Sequence, residues 1–213
     1  MQSIADLRKE YKLQTLQEKE VSKDPYEQFT QWWNNALKSE IIEVNAMTLA
    51  TADASGTPSA RIVLLKGFSE KGFVFYTNYD SHKGRDLEAN PKACLVLFWK
   101  ELERQVRISG NAKKVSSAES DEYFASRPQG SRIGAWASPQ SDIIGSREII
   151  EANSLAYQQK FSDGNIPRPP HWGGYVVVPA IIEFWQGRPN RLHDRIQYSL
   201  TESGAWKIER LAP

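Results

Sequence analysis

One cysteine, Cys94, stands in a chain of 213 residues, which excludes an internal disulfide framework and suits a reducing compartment. No apolar run approaches the roughly 18 residues that would read as a membrane span. The opening Met1-Gln2-Ser3-Ile4-Ala5-Asp6 lacks the basic and apolar regions of a secretory signal, so the cytoplasm is the expected location. Charge of one sign is not in excess either. The net charge is +1, which argues against a nucleic-acid coat. Common fingerprints are missing too: there is no G-x-G-x-x-G after a strand, no G-x-x-x-x-G-K-[ST] and no G-x-S-x-G. The histidines at 82, 171 and 193 have neither metal-ligand spacing nor cysteine pairs beside them, and no metal is expected. Repeats and low-complexity tracts are absent.

What is present is an ordinary globular balance, 40% apolar and 25% charged, in a chain long enough to bury a real core. Ile4, Leu7, Tyr11 and Leu16 among many charges predict a weak amphipathic helix within residues 3 to 20, one that needs a surface to fold on. Asp24-Pro25 reads as an N-cap followed by proline at the first helical position, opening a helix that ends near Ser39 or Glu40. From Ala46 the texture turns to strands with turn punctuation. Strands are predicted over residues 47–51, 59–66, 73–77, 93–99 and 103–115, the last two as a hairpin turning at Lys100-Glu101-Leu102. Ser81 opens a short helix, and Ser116 with Glu119 forms a capping box for a helix running to Ser126. A further helix is expected over 146–161. Three closing strands follow, over 174–186, about 191–201 and 206–211. Without a regular βαβ rhythm, an antiparallel barrel with peripheral helices fits best.

Arginine and lysine recur inside apolar strand-like runs, as in Arg61-Ile62-Val63-Leu64-Leu65-Lys66 and Arg104-Gln105-Val106-Arg107-Ile108. Desolvating an unpaired cation is costly, so such positions call for anionic partners, and small phosphorylated ligands are natural candidates beside internal ion pairs. The densest cluster is Arg191-Leu192-His193-Asp194-Arg195. On a strand, Arg191, His193 and Arg195 would share one face, where they repel one another unless an anion or an acidic neighbour sits among them. Tyr123 and Arg127 share a helical face, and Ser131 just beyond Pro128 can join them in a phosphate clamp. Tyr76-Thr77 followed by Ser81-His82-Lys83 at a helix start offers a second anion site from free N–H groups, the helix dipole and a lysine.

The run Ile182-Glu183-Phe184-Trp185-Gln186, four further residues, then Arg191-Leu192-His193-Asp194-Arg195 resembles the signature of the pyridoxamine 5′-phosphate oxidase family. The likeness extends in order through Arg61 to Lys66, Phe75-Tyr76-Thr77-Asn78, Glu103-Arg104-Gln105-Val106, Ser126-Arg127-Pro128, Ile133-Gly134-Ala135-Trp136, Gln140-Ser141 and Trp172-Gly173-Gly174, to the closing Trp206-Lys207-Ile208. The resemblance implies an antiparallel split β-barrel, mainly β with peripheral helices, that binds FMN between the subunits of a homodimer. Residues 24 to 213 would form the single FMN-binding domain, and residues 1 to 23 a segment that can move over the substrate.

By the same resemblance FMN contacts fall on Arg61, Ile62, Val63, Leu64, Leu65, Lys66, Tyr76, Thr77, Lys83, Gln105, Gln140, Ser141, Trp185 and Arg195, and His82, beside Lys83 at the helix start, is a further candidate for the FMN phosphate. The phosphate of a phosphorylated pyridine substrate falls on Lys66, Tyr123, Arg127 and Ser131. Arg191, Leu192 and His193 lie at its ring, with Arg191 and His193 at the reacting carbon, while Arg8-Lys9-Glu10-Tyr11 resembles a segment that folds over it. The implied reaction takes hydrogen from the C4′ carbon of pyridoxamine or pyridoxine 5′-phosphate, with FMN as acceptor and O₂ as final oxidant, and yields pyridoxal 5′-phosphate and hydrogen peroxide. Two positions depart from the pattern. His82 stands where an arginine commonly pairs with the following lysine, and Val44 stands where proline commonly follows the acidic residue. Another split-barrel flavoprotein, a carrier of pyridoxal phosphate without turnover and a β-barrel nucleic-acid binder are the competing readings. The first is opposed by Arg191-Leu192-His193 and the Tyr123/Arg127 clamp, and the last by the near-zero net charge.

Overall fold

The computed structural model of the chain describes residues 3–4 and 9–213. Among the described residues, five α-helices and nine strands follow in the order α1 (Pro25–Leu37), β1 (Ala46–Ala52), β2 (Pro58–Leu64), β3 (Gly67–Ser69), β4 (Gly72–Asn78), α2 (His82–Ala89), β5 (Lys92–Trp99), β6 (Arg104–Lys114), α3 (Ser117–Ser126), α4 (Gln129–Ala137), α5 (Glu148–Lys160), β7 (Trp172–Gln186), β8 (Asp194–Leu200) and β9 (Trp206–Arg210). The strands form one sheet in the order β2-β1-β5-β6-β7-β4-β3, with β8 pairing β7 and β9 pairing β8. The pairings of β3 with β4, β4 with β7, β7 with β8 and β8 with β9 are antiparallel. Among the described residues, no helix is long and apolar enough to cross a membrane.

Two compact units divide the chain. The first comprises residues 1–49, 94–110 and 179–213. Its core is aromatic: Trp32 of α1 meets Phe184 of β7 edge-on at 5.2 Å, and Phe184 meets Tyr198 of β8 at 5.6 Å. These rings are almost wholly buried, and burial of each such side chain stabilises by about 1.5–3 kcal/mol. Their polar edges are satisfied, since the Tyr198 hydroxyl donates to the Ser22 carbonyl and the Trp99 indole to the Val44 carbonyl. Helix α1 starts where the sequence directs: the Asp24 carboxylate accepts from the N–H groups of Tyr26 and Glu27, with Pro25 just inside.

The second unit comprises residues 50–93 and 111–178. Phe124, Ile133, Phe161, Ile166 and Trp172 form its helical-side core. Strand β4 is buried on most positions and pairs in register with β7, Phe75 opposite Tyr175. The lone Cys94, half-buried on β5 with a free thiol, belongs to the first unit.

Two expectations are corrected. Over residues 9–22 there is no helix; the chain runs irregularly, because its N–H groups are taken by side chains, Lys12 and Leu13 by Glu103 and Leu16 by Asp194. The expected strand from 191 begins only at Asp194. Pro189–Arg191 forms a 3₁₀ turn instead, with Asn190 and Arg191 both at positive φ, and Pro189 has no N–H for a ladder. The helix expected to run to Ser126 does so, and a further helix with no counterpart among the expectations, α4, follows Pro128 and carries Ser131. A proline's fixed φ suits a helix start as well as a stop.

Candidate active site

Within the second unit lies a cavity of about 610 Å³, inside the range of small-molecule sites. Ile62, Val63 and Leu64 of β2 line it with Lys66, and Tyr76 and Thr77 of β4 line it with Lys83 of α2. Tyr123, Arg127, Ser131 and Gln140 also face it. Lys83 enters at the amino end of α2, where the Ser81 hydroxyl caps Gly84 N–H. Only glycine fits at position 84, because a Cβ there would lie 2.0 Å from the Tyr79 carbonyl oxygen. The Lys83 ammonium is buried and donates to Thr77 Oγ1, Ser81 Oγ and the Gln140 side-chain oxygen at 3.1–3.2 Å. All three acceptors are neutral. Desolvation, with Arg61 adding repulsion, pulls the Lys83 pKa down to about 8. An anion in the cavity would reverse that shift.

A second cationic group shares the cavity with stacked rings. Tyr76 lies on Tyr123 at 3.9 Å and 17°, and both run nearly parallel to Trp172. The Arg127 guanidinium sits 4.5 Å over the Trp172 ring, and Lys66 lies 6.0 Å from the Tyr123 centroid. Arg127 Nη1 is buried without a hydrogen-bond partner, and desolvation lowers the pKa of the group. A buried donor left unpaired is costly, so it marks a place for an acceptor. Burial likewise pushes the Tyr76 phenol up to about 12, which keeps it neutral.

The first unit holds the other cluster. The rings of Trp185 and His193 approach to 4.6 Å, and Tyr11 packs against them at 5.8 Å from Trp185 and 6.1 Å from His193. His193 Nδ1 accepts from the Arg188 N–H at 3.1 Å, so in the neutral ring the proton is on Nε2. Burial first, then Arg191, lowers the His193 pKa. Arg195 donates to Glu183 at 2.8 Å, and Arg107 lies 3.3 Å from the other oxygen of the same buried carboxylate. Of the three cations expected to crowd one strand face, Arg191 is therefore on a turn, His193 is biased to neutrality, and Arg195 is paired.

Not every expected residue lines the cavity. Arg61 turns to Thr51, Ser59 and Asp86. Leu65 is buried, and Ser141 is exposed at positive φ. His82 is largely exposed and faces Asp86 at 3.4 Å. Gln105 is half-buried on β6, and Leu192 is exposed. Lys9 reaches Glu103 and Glu10 pairs with Lys12, both near the surface, while Arg8 lies outside the described residues. The sequence reading gave no role to Trp172, whose ring completes the stack, or to the buried carboxylates Glu103 and Glu183. Both acids sit beside apolar strand runs, the same signal that singled out the arginines.

A family model described as pyridoxamine 5′-phosphate oxidase matches residues 34–161, and one described as the pyridoxine 5′-phosphate oxidase C-terminal dimerisation region matches residues 172–213. Proteins named pyridoxine/pyridoxamine 5′-phosphate oxidase are similar over nearly their whole length. The one from Trichormus variabilis is 56% identical over 99% of each chain, and the one from Gloeothece citriformis is 58% identical over 100% of this chain and 99% of its own. Among solved structures, PhzG from Burkholderia lata 383, in complex with tetrahydrophenazine-1-carboxylic acid, superposes with a TM-score of 0.88 at 29% identity, over 96% of this chain and all of that one. A pyridoxamine 5′-phosphate oxidase-related, FMN binding protein from Nostoc punctiforme shares the fold, with a TM-score of 0.71 at 18% identity over 91% of this chain and all of that one.

Proposed function

The chain belongs to the pyridoxamine 5′-phosphate oxidase family, and on that premise we propose that it oxidises pyridoxamine 5′-phosphate and pyridoxine 5′-phosphate to pyridoxal 5′-phosphate with FMN and O₂, releasing hydrogen peroxide and, from the amine, ammonia as water hydrolyses the imine. The observation that carries this reading is one cavity holding two under-satisfied cations: Lys83 among neutral acceptors and Arg127 with an orphan donor. Two phosphorylated partners answer that arrangement.

The residues present fit FMN. In the second unit Lys83, Thr77 and Gln140 would hold its phosphate, with Arg61 through Lys66, Tyr76 and Ser141 as further contacts, and in the first unit Gln105, Trp185 and Arg195 are assigned to FMN by the family resemblance. FMN, when bound, supplies the hydride acceptor. Arg127, Lys66, Tyr123 and Ser131 would bind the substrate phosphate, a charge-assisted clamp drawn from α3, α4, the extended residue between them and the link after β2. Arg191 and His193 would meet the pyridine ring, His193 offering Nε2–H because Nδ1 is engaged by Arg188. Tyr11, packed edge-on against Trp185 and tilted against His193, would exclude water from the pair. Arg195 keeps its positive charge against Glu183 and would stabilise negative charge developing beside it. His82, which faces Asp86, would act on FMN only indirectly.

A homodimer is part of the proposal, supported by the match of residues 172–213 to a dimerisation region. So is a cytoplasmic location, which suits a single free cysteine. The purified protein should be yellow and release FMN on denaturation, and with either substrate it should consume O₂ and form peroxide stoichiometrically with aldehyde. A colourless protein that takes up no FMN, or a yellow one inert to both substrates, would overturn the reading.

A further inference from the structure

Glu103 ends the β5–β6 hairpin turn in the left-handed region, at φ 55° and ψ 38°, a conformation in which a bulky side chain is uncommon. Its carboxylate is 3% exposed. One oxygen, Oε2, accepts from the backbone N–H groups of Lys12 at 2.8 Å and Leu13 at 3.1 Å, and the other lies 3.6 Å from the Lys9 ammonium. The residue's own carbonyl accepts from Gly187 N–H at 2.7 Å and from the Gln186 side chain. Glu103 thus ties two stretches together: the N-terminal segment on its side chain and the end of β7 on its backbone. Between these ties lies Tyr11. Its ring packs so closely on Gly187 that a Cβ there would sit 2.8 Å from the ring, and the same ring touches Trp185 and His193.

We propose that Glu103 is a positioning residue for the oxidase reaction, a latch that holds residues 9–14 closed and keeps Tyr11 on the Trp185/His193 pair. The proposal rests on the reading above that this pair belongs to the reaction site. The neighbouring Arg104 strengthens the same seam: its guanidinium lies 4.3 Å over Trp32, donates to Gln186 at 2.9 Å and also bonds Gln14. A carboxylate is suited to the task because both N–H groups converge on one charged oxygen, and hydrogen bonds to a charged group are stronger than neutral ones. The left-handed backbone is what aims it: Glu103 leaves the turn toward residues 12 and 13 while its carbonyl stays with β7.

The test uses the FMN-loaded protein. Trypsin cuts after Lys12, at the Lys12–Leu13 bond whose own N–H is held by Glu103, so cutting reports the open population. Glu103→Gln, which keeps the shape and loses the charge, should speed that cut by about ten-fold or more. It should lower kcat/KM for pyridoxine 5′-phosphate while FMN content stays at the wild-type level. In a Tyr11→Ala background the same change should cost little more, because both act through one contact. Should Glu103→Gln fail to fold, Glu103→Asp, a carboxylate of shorter reach, is expected to give the same pattern. An unchanged cutting rate would overturn the latch, and so would a kinetic loss fully additive with Tyr11→Ala. If wild-type holoenzyme forms no peroxide, the functional reading falls, and the cutting rate still decides the latch.

Discussion

Lys83 and Arg127 are both cations drawn away from solvent, Lys83 buried and Arg127 half-buried, and what each lacks makes a separate prediction. Lys83 has three acceptors but no charge among them. In the free protein it begins to lose its proton near pH 8, and a bound phosphate raises that value. FMN should therefore bind most tightly below about 8, and weaken as pH climbs through 8 toward the raised pKa. The phosphate's second ionisation, near ~6, leaves this range undisturbed. Flavin fluorescence titrations over roughly pH 7 to 9 should show the slope in wild type, and Lys83→Met should bind more weakly with a flat profile. A slope retained in Lys83→Met would assign the titration to another group. Arg127 instead has a donor without an acceptor. Arg127→Ala should cost roughly 1.5–3 kcal/mol, about ten- to a hundred-fold, in binding of the phosphorylated substrate. Its FMN content should not change; loss of FMN instead would mean the two phosphates are assigned the wrong way round.

Helix ends carry the next level of organisation, and two of them can be compared directly. Asp24 caps α1 and Ser81 caps α2. Loss of either cap should cost about 1 kcal/mol, a few degrees in Tm for a chain of this size. Only Ser81→Ala should also weaken FMN binding, since Ser81 both starts α2 and accepts from Lys83. Equal FMN affinity in both variants would separate the cap from the cofactor site. Caps such as these were legible because a short polar side chain before a proline or a helical stripe has a local cause. The strand over 47–51 was legible from its β texture and the turn after it, and it stands as β1. What stayed hidden depends on distant partners. Nothing near Lys12 says that its N–H is taken 91 residues away by Glu103, so the segment read as a weak helix. Arg191, His193 and Arg195 read as one strand face because period two was the simplest rule available, whereas Asn190 and Arg191 take positive φ values. In the site, residue types that bind phosphate were visible. Which of them turn inward was not, as Arg61 and His82 facing Asp86 make plain.

At the scale of the whole molecule, the region matched as a dimerisation segment leaves Ile181, Leu192 and Leu200 exposed. Exposed apolar side chains in such a region suit burial against a second copy. The protein should elute as a dimer in gel filtration, and dilution into monomers should release FMN. A monomer that keeps its flavin through repeated buffer exchange would contradict this. The sulfur inventory has a consequence of a different kind. An oxidase that makes peroxide lives beside its own oxidant, and thiols and thioethers are the side chains peroxide attacks. This chain holds one cysteine and two methionines; Cys94 is half-buried on a strand, and Met47 is 1% exposed in the core. Neither lines the cavity where the oxidant would be released. The scarcity that first read as a mark of compartment is also a form of durability: the catalyst offers its own product little to corrode.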